Sequence, residues 1–237
     1  MNCLGVTPAR VITYGLSGGD WQATEIRNGV DTISFKCFFR NNLLGKVTLP
    51  LLGRHNVLNS LAALAIGTEV GLDFETISSA LANFAGVHRR MEKIAEIKGI
   101  TILDDYGHHP TEIRATLAAV KSRYPGRRLV VIFQPHQYSR TRFLLEDFAS
   151  SFALADKVIV PDIYFVRDSE REKQLVNAGM LVERIRQHGR QALYLPTPKE
   201  IQVYLQEVVK PGDVVITIGA GPINRVGQEF ARKLQEA

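Results

Sequence analysis

Two segments gather the side chains that do chemistry. Asp104-Asp105-Tyr106-Gly107-His108-His109-Pro110-Thr111-Glu112 and Phe133-Gln134-Pro135-His136-Gln137-Tyr138-Ser139-Arg140-Thr141-Arg142 each follow an apolar, strand-like run and lead into a helical pattern. Adjacent carboxylates at a strand end suit a ribose hydroxyl or a metal ion, and adjacent imidazoles suit a phosphate, a carboxylate or a metal. The planar fork of Arg140 suits a carboxylate, to which it donates two parallel hydrogen bonds, and a helix opening there adds backbone amides that favour an anion. A plainer account stands beside each. Asp and His in the first segment can simply cap the following helix, and the cations of the second can be solvated surface charges. His108-His109 lacks the spacing that sets two imidazoles on one helix face and no cysteine lies nearby, so no metal ligand is assigned.

Three weaker signals accompany them. Asn56 and Asn59, three apart at the start of an alanine-rich helix, share a face, and an amide offers the donor and acceptor that pair with an adenine edge; two Asn at a helix start also serve as caps. Gly219-Ala220-Gly221 follows a strand and precedes a helix, but a lone G-x-G at the far end of a domain points more to a tight turn and close packing than to a dinucleotide. No G-x-x-x-x-G-K-[ST] phosphate loop occurs, so nothing in the chain cradles a triphosphate in that way.

The elements that must position these residues fall into two groups. Up to about residue 88, short strands at 10–14, 24–27, 32–39 and 46–51 separated by Gly, Asn and Asp read as antiparallel, with Ile33, Phe35 and Cys37 on one buried face. Helices follow at 55–70 and 74–84; Asp73 caps the second, whose stripe of Phe74, Ile77, Leu81 and Phe84 reads as core. From residue 89 to 237, strands at 91–97, 101–105, 129–133, 157–161, 192–195 and 214–218 alternate with helical patterns at 111–124, 142–152, 172–188, 198–209 and 223–234. That alternation predicts βαβ units and a mostly parallel α/β sheet. Ligands of such sheets bind outside the carboxyl ends of the strands. The ends at Asp105 and Phe133, expected as sheet neighbours, make a binding or catalytic edge.

Bulk properties narrow the partners. The formal charge of +5 over 237 residues is modest and scattered, with Arg89-Arg90 and Arg127-Arg128 the tight pairs, which argues against a nucleic-acid surface and fits a pocket for phosphates or carboxylates. Cys3 and Cys37 alone suggest a reducing compartment. No apolar stretch reaches the length of a membrane span and the first ten residues show no signal-peptide pattern, so a cytoplasmic location is expected.

Taken together, GRHNVLN (53–59), FAGVHRRME (84–92), DDYGHHPTE (104–112), FQPHQYSRTR (133–142), DIY (162–164) and GAG (219–221) resemble the Mur ligase family, the ATP-dependent amide-bond formers of peptidoglycan assembly, and most of all its alanine-adding branch. The resemblance implies that residues 1–88 are the β-plus-helix tail of a central P-loop-type ATPase domain and 89–237 a complete C-terminal Rossmann-like domain. It implies ATP, L-alanine and UDP-N-acetylmuramate as ligands, with the phosphate loop and the Mg²⁺ ligands in a half that is missing here. On that view the chain is a fragment inactive by itself, or the product of a split gene completed by a separate chain. Asn56 and Asn59 would then meet the adenine, Arg90 the terminal phosphates and Asp105 the ribose, while Tyr106, His108, His136 and Arg140 would hold the amino acid and the reacting end of the UDP-sugar. No catalytic base is named. Gln137 stands where many members carry Arg, Met91 where many carry Phe, and Pro222 where an acidic residue is common; His88 is also off the pattern. Two rivals remain from the residues themselves: a noncatalytic nucleotide- or amino-acid-binding module on this fold, and a metal-dependent hydrolase using Asp104, Asp105, His108 and His109.

Overall fold

The computed structural model describes residues 9–29 and 32–236. They form two compact units, one ending at Gly86 and the other beginning at Val87.

The first unit carries a four-stranded sheet in the order β1-β2-β3-β4: β1 (Tyr14–Gly15), β2 (Trp21–Asn28), β3 (Ile33–Phe39) and β4 (Asn42–Leu49). β2, β3 and β4 are an antiparallel meander, as the turn residues require. The strand expected at 10–14 is reduced to two residues and pairs with β2 in parallel. The alternation of β3 holds: Ile33, Phe35 and Cys37 are fully buried against Trp21, Val47 and Leu49 and against α1 (Arg54–Glu69) through Val57, Leu61 and Leu64. Burial pushes the Cys37 thiol up to about 12 and it is free; Cys3 lies outside the described residues. Asp73 caps α2 (Phe74–Ala82), its side chain accepting from Thr76 N at 2.7 Å. The expected core stripe is only partly buried. Ile77 is inside, but Phe84 lies beyond the helix end and is 45% exposed.

The second unit is a six-stranded sheet in the order β5-β6-β10-β7-β8-β9. Its strands are β5 (Glu92–Ile97), β6 (Ile100–Asp105), β7 (Leu129–Phe133), β8 (Lys157–Val160), β9 (Ala192–Tyr194) and β10 (Val214–Ile218). All pairs are parallel except β5 with β6, which join through the tight Lys98-Gly99 turn, too short for a crossover. The helices are α3 (Pro110–Arg123), α4 (Tyr138–Phe143), α5 (Leu145–Ser150), α6 (Glu170–Leu175), α7 (Ala178–Gln187), α8 (Pro198–Val208) and α9 (Asn224–Glu236). Side chains alternate across the strands, so the sheet has two cores. Leu103, Val131, Phe133, Ile216 and Ile218 pack on α3, α5 and α7, while Ile102, Val130, Ile132 and Val215 pack on α8 and α9.

Two single helical patterns are divided in the structure. The expected 142–152 helix begins earlier, at Tyr138, and breaks at Leu144, while the expected 172–188 helix breaks at Val176 and Asn177. Val176 is extended and buried, and Asn177 caps the second piece through Met180 N at 2.9 Å, so a side-chain bond to the backbone wins over helix continuation. No helix among the described residues is long and apolar enough to cross a membrane.

β10, last in the chain, lies between β6 and β7, which corrects the expectation that their ends are neighbours. The loops after β6 and β7 run to helices on one face, whereas the loop after β10 runs to α9 on the other. Connections diverge there, which is where open α/β sheets keep a ligand crevice. Gly219-Ala220-Gly221 occupies that point. At the opposite end of the strands, Arg127 donates to Gly99 O, Gly212 O, Asp213 O and Thr101 Oγ1, and Arg128 pairs with Asp213. This second basic pair therefore closes the sheet's amino edge and is spent on structure.

Candidate functional site

Consecutive strand residues point to opposite faces, and this separates the two adjacent aspartates. Asp104 turns toward the α9 side, where Oδ2 accepts from Arg89 Nε at 2.8 Å and Oδ1 from Thr217 Oγ1 at 2.6 Å. Asp105 turns the other way, and its carboxylate accepts from Met91 N at 2.9 Å and Gly107 N at 2.7 Å. Both are at least 97% buried. Burial raises the Asp105 carboxyl above its ordinary value, opposed by the two amides and the charge of Arg90. The pair does not converge on one ligand. Together the two carboxylates clamp the segment before β5, in which Arg89 (φ +60°) and Met91 (φ +51°) hold the left-handed conformation that non-glycine residues adopt only under constraint.

Arg89 does the most to join the site. Its Nη2 donates to Gly219 O at 2.7 Å, so one guanidinium ties the Arg89–Met91 segment, the end of β6 and the loop after β10. Sequence reasoning noted it only as half of a basic pair. Arg90, the neighbour assigned to phosphate by resemblance, is more exposed; its Nη1 lies 3.3 Å from Glu112 Oε1 and its guanidinium 5.7 Å from the Tyr106 ring centroid.

Glu112 orders the first loop. Its Oε2 accepts from His108 N at 2.9 Å and His109 N at 3.1 Å, and His109 Nδ1 accepts in turn from Thr111 N, a reciprocal capping box with Pro110 in the first turn of α3. Burial alone would raise the Glu112 carboxyl, but the His108 amide, the His108 ring and Arg90 hold it below its ordinary value. For His109 the capping account is therefore correct. With Asp104, Asp105 and His109 engaged in these separate ways, the hydrolase reading loses its ligands. No group of three or more His, Cys, Asp or Glu among the described residues is placed to hold a metal ion.

The second loop is stitched to the one after β8. Tyr164 N donates to Pro135 O at 2.8 Å and Gln137 N to Tyr164 O at 3.0 Å. Asp168 accepts from Ser139 N at 2.8 Å and Ser169 N at 3.0 Å. Burial pushes the Asp168 carboxyl up, but these amides hold it below the usual range. Gln137 sits at φ +70°, and its side chain turns to the carbonyls of Val166 and Arg167 at 3.4 and 3.5 Å. Its carbonyl accepts both the amide and the hydroxyl of Thr141, which fixes the first turn of α4 carrying Arg140.

Across β10 the two loops meet in a row of rings. Tyr106 and His108 lie 5.6 Å apart, His108 and His136 6.0 Å, and His136 and Tyr164 5.6 Å, centroid to centroid. Burial, and then the charges of Arg140, His108 and Arg167, lower the His136 imidazole below its ordinary value, which favours the neutral ring. His136 Nδ1 and Arg140 Nη1 are both buried without a hydrogen-bond partner among the described residues. Buried polar atoms are nearly always paired, so an open acceptor or donor beside an open guanidinium donor marks a place for a polar, anionic group.

Tyr106, His108, His136 and Arg140 are thus gathered at the crevice, with Arg90 and Asp105 on its β6 side. Tyr164 completes the row; its sequence signal was no more than one letter of the DIY segment. Asn56 and Asn59 belong to the first unit. There the helix cap is Gly53, not either Asn; Asn56 Nδ2 donates to Leu52 O at 2.8 Å and Asn59 Nδ2 approaches Asn56 Oδ1 at 3.4 Å. Gly219 and Gly221 do permit close packing. A Cβ at Gly219 would stand 2.8 Å from Gln134 O, and one at Gly221 2.6 Å from Gln134 Oε1. The turn account is right, and its place at the point of divergence makes it part of the crevice as well.

A strand-divergence crevice built from these motifs defines a class of protein. Residues 1–67 match the Mur ligase middle domain and residues 89–221 the Mur ligase, glutamate ligase domain; the chain belongs to the Mur ligase family. It is 46% identical over 230 residues to the UDP-N-acetylmuramate–L-alanine ligase of Geobacter sulfurreducens, covering 96% of this chain and 49% of that protein. It is 44% identical over 232 residues to the ligase of the same name from Desulforamulus reducens, covering 96% and 49%. The crystal structure of a UDP-N-acetylmuramate–alanine ligase from Thermotoga maritima superposes with a TM-score of 0.78 at 27% identity, covering 95% of this chain and 48% of that one. The chain spans about half the length of the curated relatives it matches.

Proposed function

We propose that this chain is the amino-acid-binding half of an ATP-dependent ligase that joins L-alanine to UDP-N-acetylmuramate. Relatives bearing that name match it along 96% of its length. The observation that carries the reading is the two buried, unpartnered atoms of one loop, Nη1 of Arg140 and Nδ1 of His136, with the charge of Arg140 felt at the imidazole. A carboxylate placed there receives the guanidinium's charge-assisted hydrogen bond while the imidazole adds no second charge to be desolvated. With its carboxylate held by Arg140, L-alanine presents its amine along the row Tyr106, His108 and His136 toward an activated acyl group. In the family scheme that group is an acyl phosphate formed from ATP and the lactyl carboxylate of the UDP-sugar. Amide formation then needs the amine and the acyl carbon held in line and the developing negative charge balanced. We assign the phosphates to Arg90, whose guanidinium lies 5.7 Å from the Tyr106 ring centroid. No residue here is assigned as general base. The described residues group no metal ligands, so Mg²⁺ belongs, on this reading, to the part of the relatives that this chain does not span, and no step is routed through it.

Without a phosphate loop the 237-residue chain alone does not turn over. Phosphate release with ATP, Mg²⁺, L-alanine and UDP-N-acetylmuramate stays at the blank. Turnover clearly above the blank refutes the half-enzyme reading. A chain supplying the rest, in trans or in frame, restores it, and Arg140→Ala then raises KM for L-alanine by at least about tenfold, the loss of one charge-assisted contact.

A further inference from the structure

On the α8 and α9 face of the second unit is a cavity of about 490 Å³. Its size is that of a small-molecule site. The walls are rigid and apolar, made by Pro161, Pro196, Pro198, Pro222, Ile223 and Val226. Two amides also line it. Gln202 is 5% exposed, and its Nε2 donates to Val226 O at 2.7 Å; because that carbonyl can only accept, the amide cannot be flipped and Oε1 is left facing no donor. Gln134, held through Nε2 toward Asp162 O at 3.4 Å, likewise leaves its Oε1 buried and unpartnered, in the space opened by the missing side chain of Gly221. Both open atoms are acceptors. Around the rim stand Lys199 in the first turn of α8, Arg225 in the first turn of α9 and Lys233 in the last turn of α9, against the single carboxylate of Glu229.

This lining selects a ligand. The interior wants neutral N–H donors, because an ammonium buried against two neutral amides would not recover its lost hydration. Proline walls are presented without loss of rotamer freedom, which suits an apolar ring. The rim, with two net positive charges by residue type, wants an anion. We propose that this cavity binds a nucleoside phosphate whose base carries an exocyclic amino group, the amino group meeting Gln134 and Gln202 and the phosphate meeting Lys199, Arg225 and Lys233. It lies within the second unit and requires none of the residues assigned above to ATP or L-alanine, so it is a second nucleotide site.

The test titrates the 237-residue chain with AMP, CMP, IMP and UMP, following the side-chain amide signals of Gln134 and Gln202 by ¹⁵N NMR. AMP and CMP shift those signals saturably. IMP and UMP, which offer a carbonyl oxygen where the amino group was, bind at least about tenfold more weakly, the equivalent of about 1.4 kcal/mol. Gln202→Leu weakens AMP about tenfold or more. Arg225→Glu, on the exposed rim, weakens it several-fold without touching the interior, and it serves if the first variant does not fold. The proposal is overturned if no saturable shift appears at millimolar nucleotide or if all four nucleotides bind alike. It is equally overturned if AMP binds while the Gln134 and Gln202 signals stay still, which would put the nucleotide elsewhere.

Discussion

Replacing Arg89 with methionine should do more damage than its place in a loop implies. The guanidinium is only 15% exposed and the Asp104 carboxylate it meets 2%. Removing it strands Asp104 with only the Thr217 hydroxyl, and takes the donor from Gly219 O. Breaking a buried pair from one side costs about 3–5 kcal/mol and an orphaned carbonyl about 1 kcal/mol more. A loss of about 4–6 kcal/mol is a large part of the 5–15 kcal/mol that stabilises a typical domain. Arg89→Met with Asp104→Asn removes both charges, and the Asn oxygen can still accept from Thr217. The double variant should therefore be more stable than Arg89→Met alone, with a coupling of about 2 kcal/mol or more. The sole tryptophan, Trp21, lies in the other unit and does not report on this network. The readout must be local: hydrogen exchange of peptides covering β6 and β10 through a urea titration. If Arg89→Met costs under about 1 kcal/mol, or the two substitutions add without coupling, the buried pair is not what holds the crevice loops together.

Two further outcomes follow from the same geometry. Gly219→Ala forces a side chain onto φ +150° with its Cβ 2.8 Å from Gln134 O, and should cost about 1–3 kcal/mol in urea unfolding; a loss within about 0.5 kcal/mol would show that the loop shifts freely. The His136 ring should titrate by NMR below the ordinary histidine value of about 6.5, chiefly through burial and secondarily through Arg140, and Arg140→Gln should move its midpoint up. Because its folded value is depressed, the stability it contributes is complete above about pH 6.5 and is lost as pH falls through the folded value. A midpoint at or above the ordinary value would refute the burial argument.

Periodicity sufficed for the second unit's order of strands, its mostly parallel sheet and the buried face of β3, because strand alternation and helix caps such as Asp73 are written in neighbouring residues. Motif residues also pointed to one place: Tyr106, His108, His136 and Arg140 are each carried at or just beyond a strand end. What the residues in order did not reveal was which strands are neighbours. Only the folded chain inserts β10 between β6 and β7, since pairing is decided by packing of both sheet faces over more than a hundred residues of separation. That insertion makes Gly219 part of the crevice and gives Arg89 its long-range partner. Asp104 and Asp105 show the same limit from the other side: adjacent in sequence they looked like a pair, yet the pleat sends them to opposite faces, where each finds partners that no local spacing records. The helix breaks at Leu144 and Val176 and the inward turn of Gln137 were likewise settled by contacts with distant segments. Local chemistry chose the residues and the elements; long-range packing chose which of them meet.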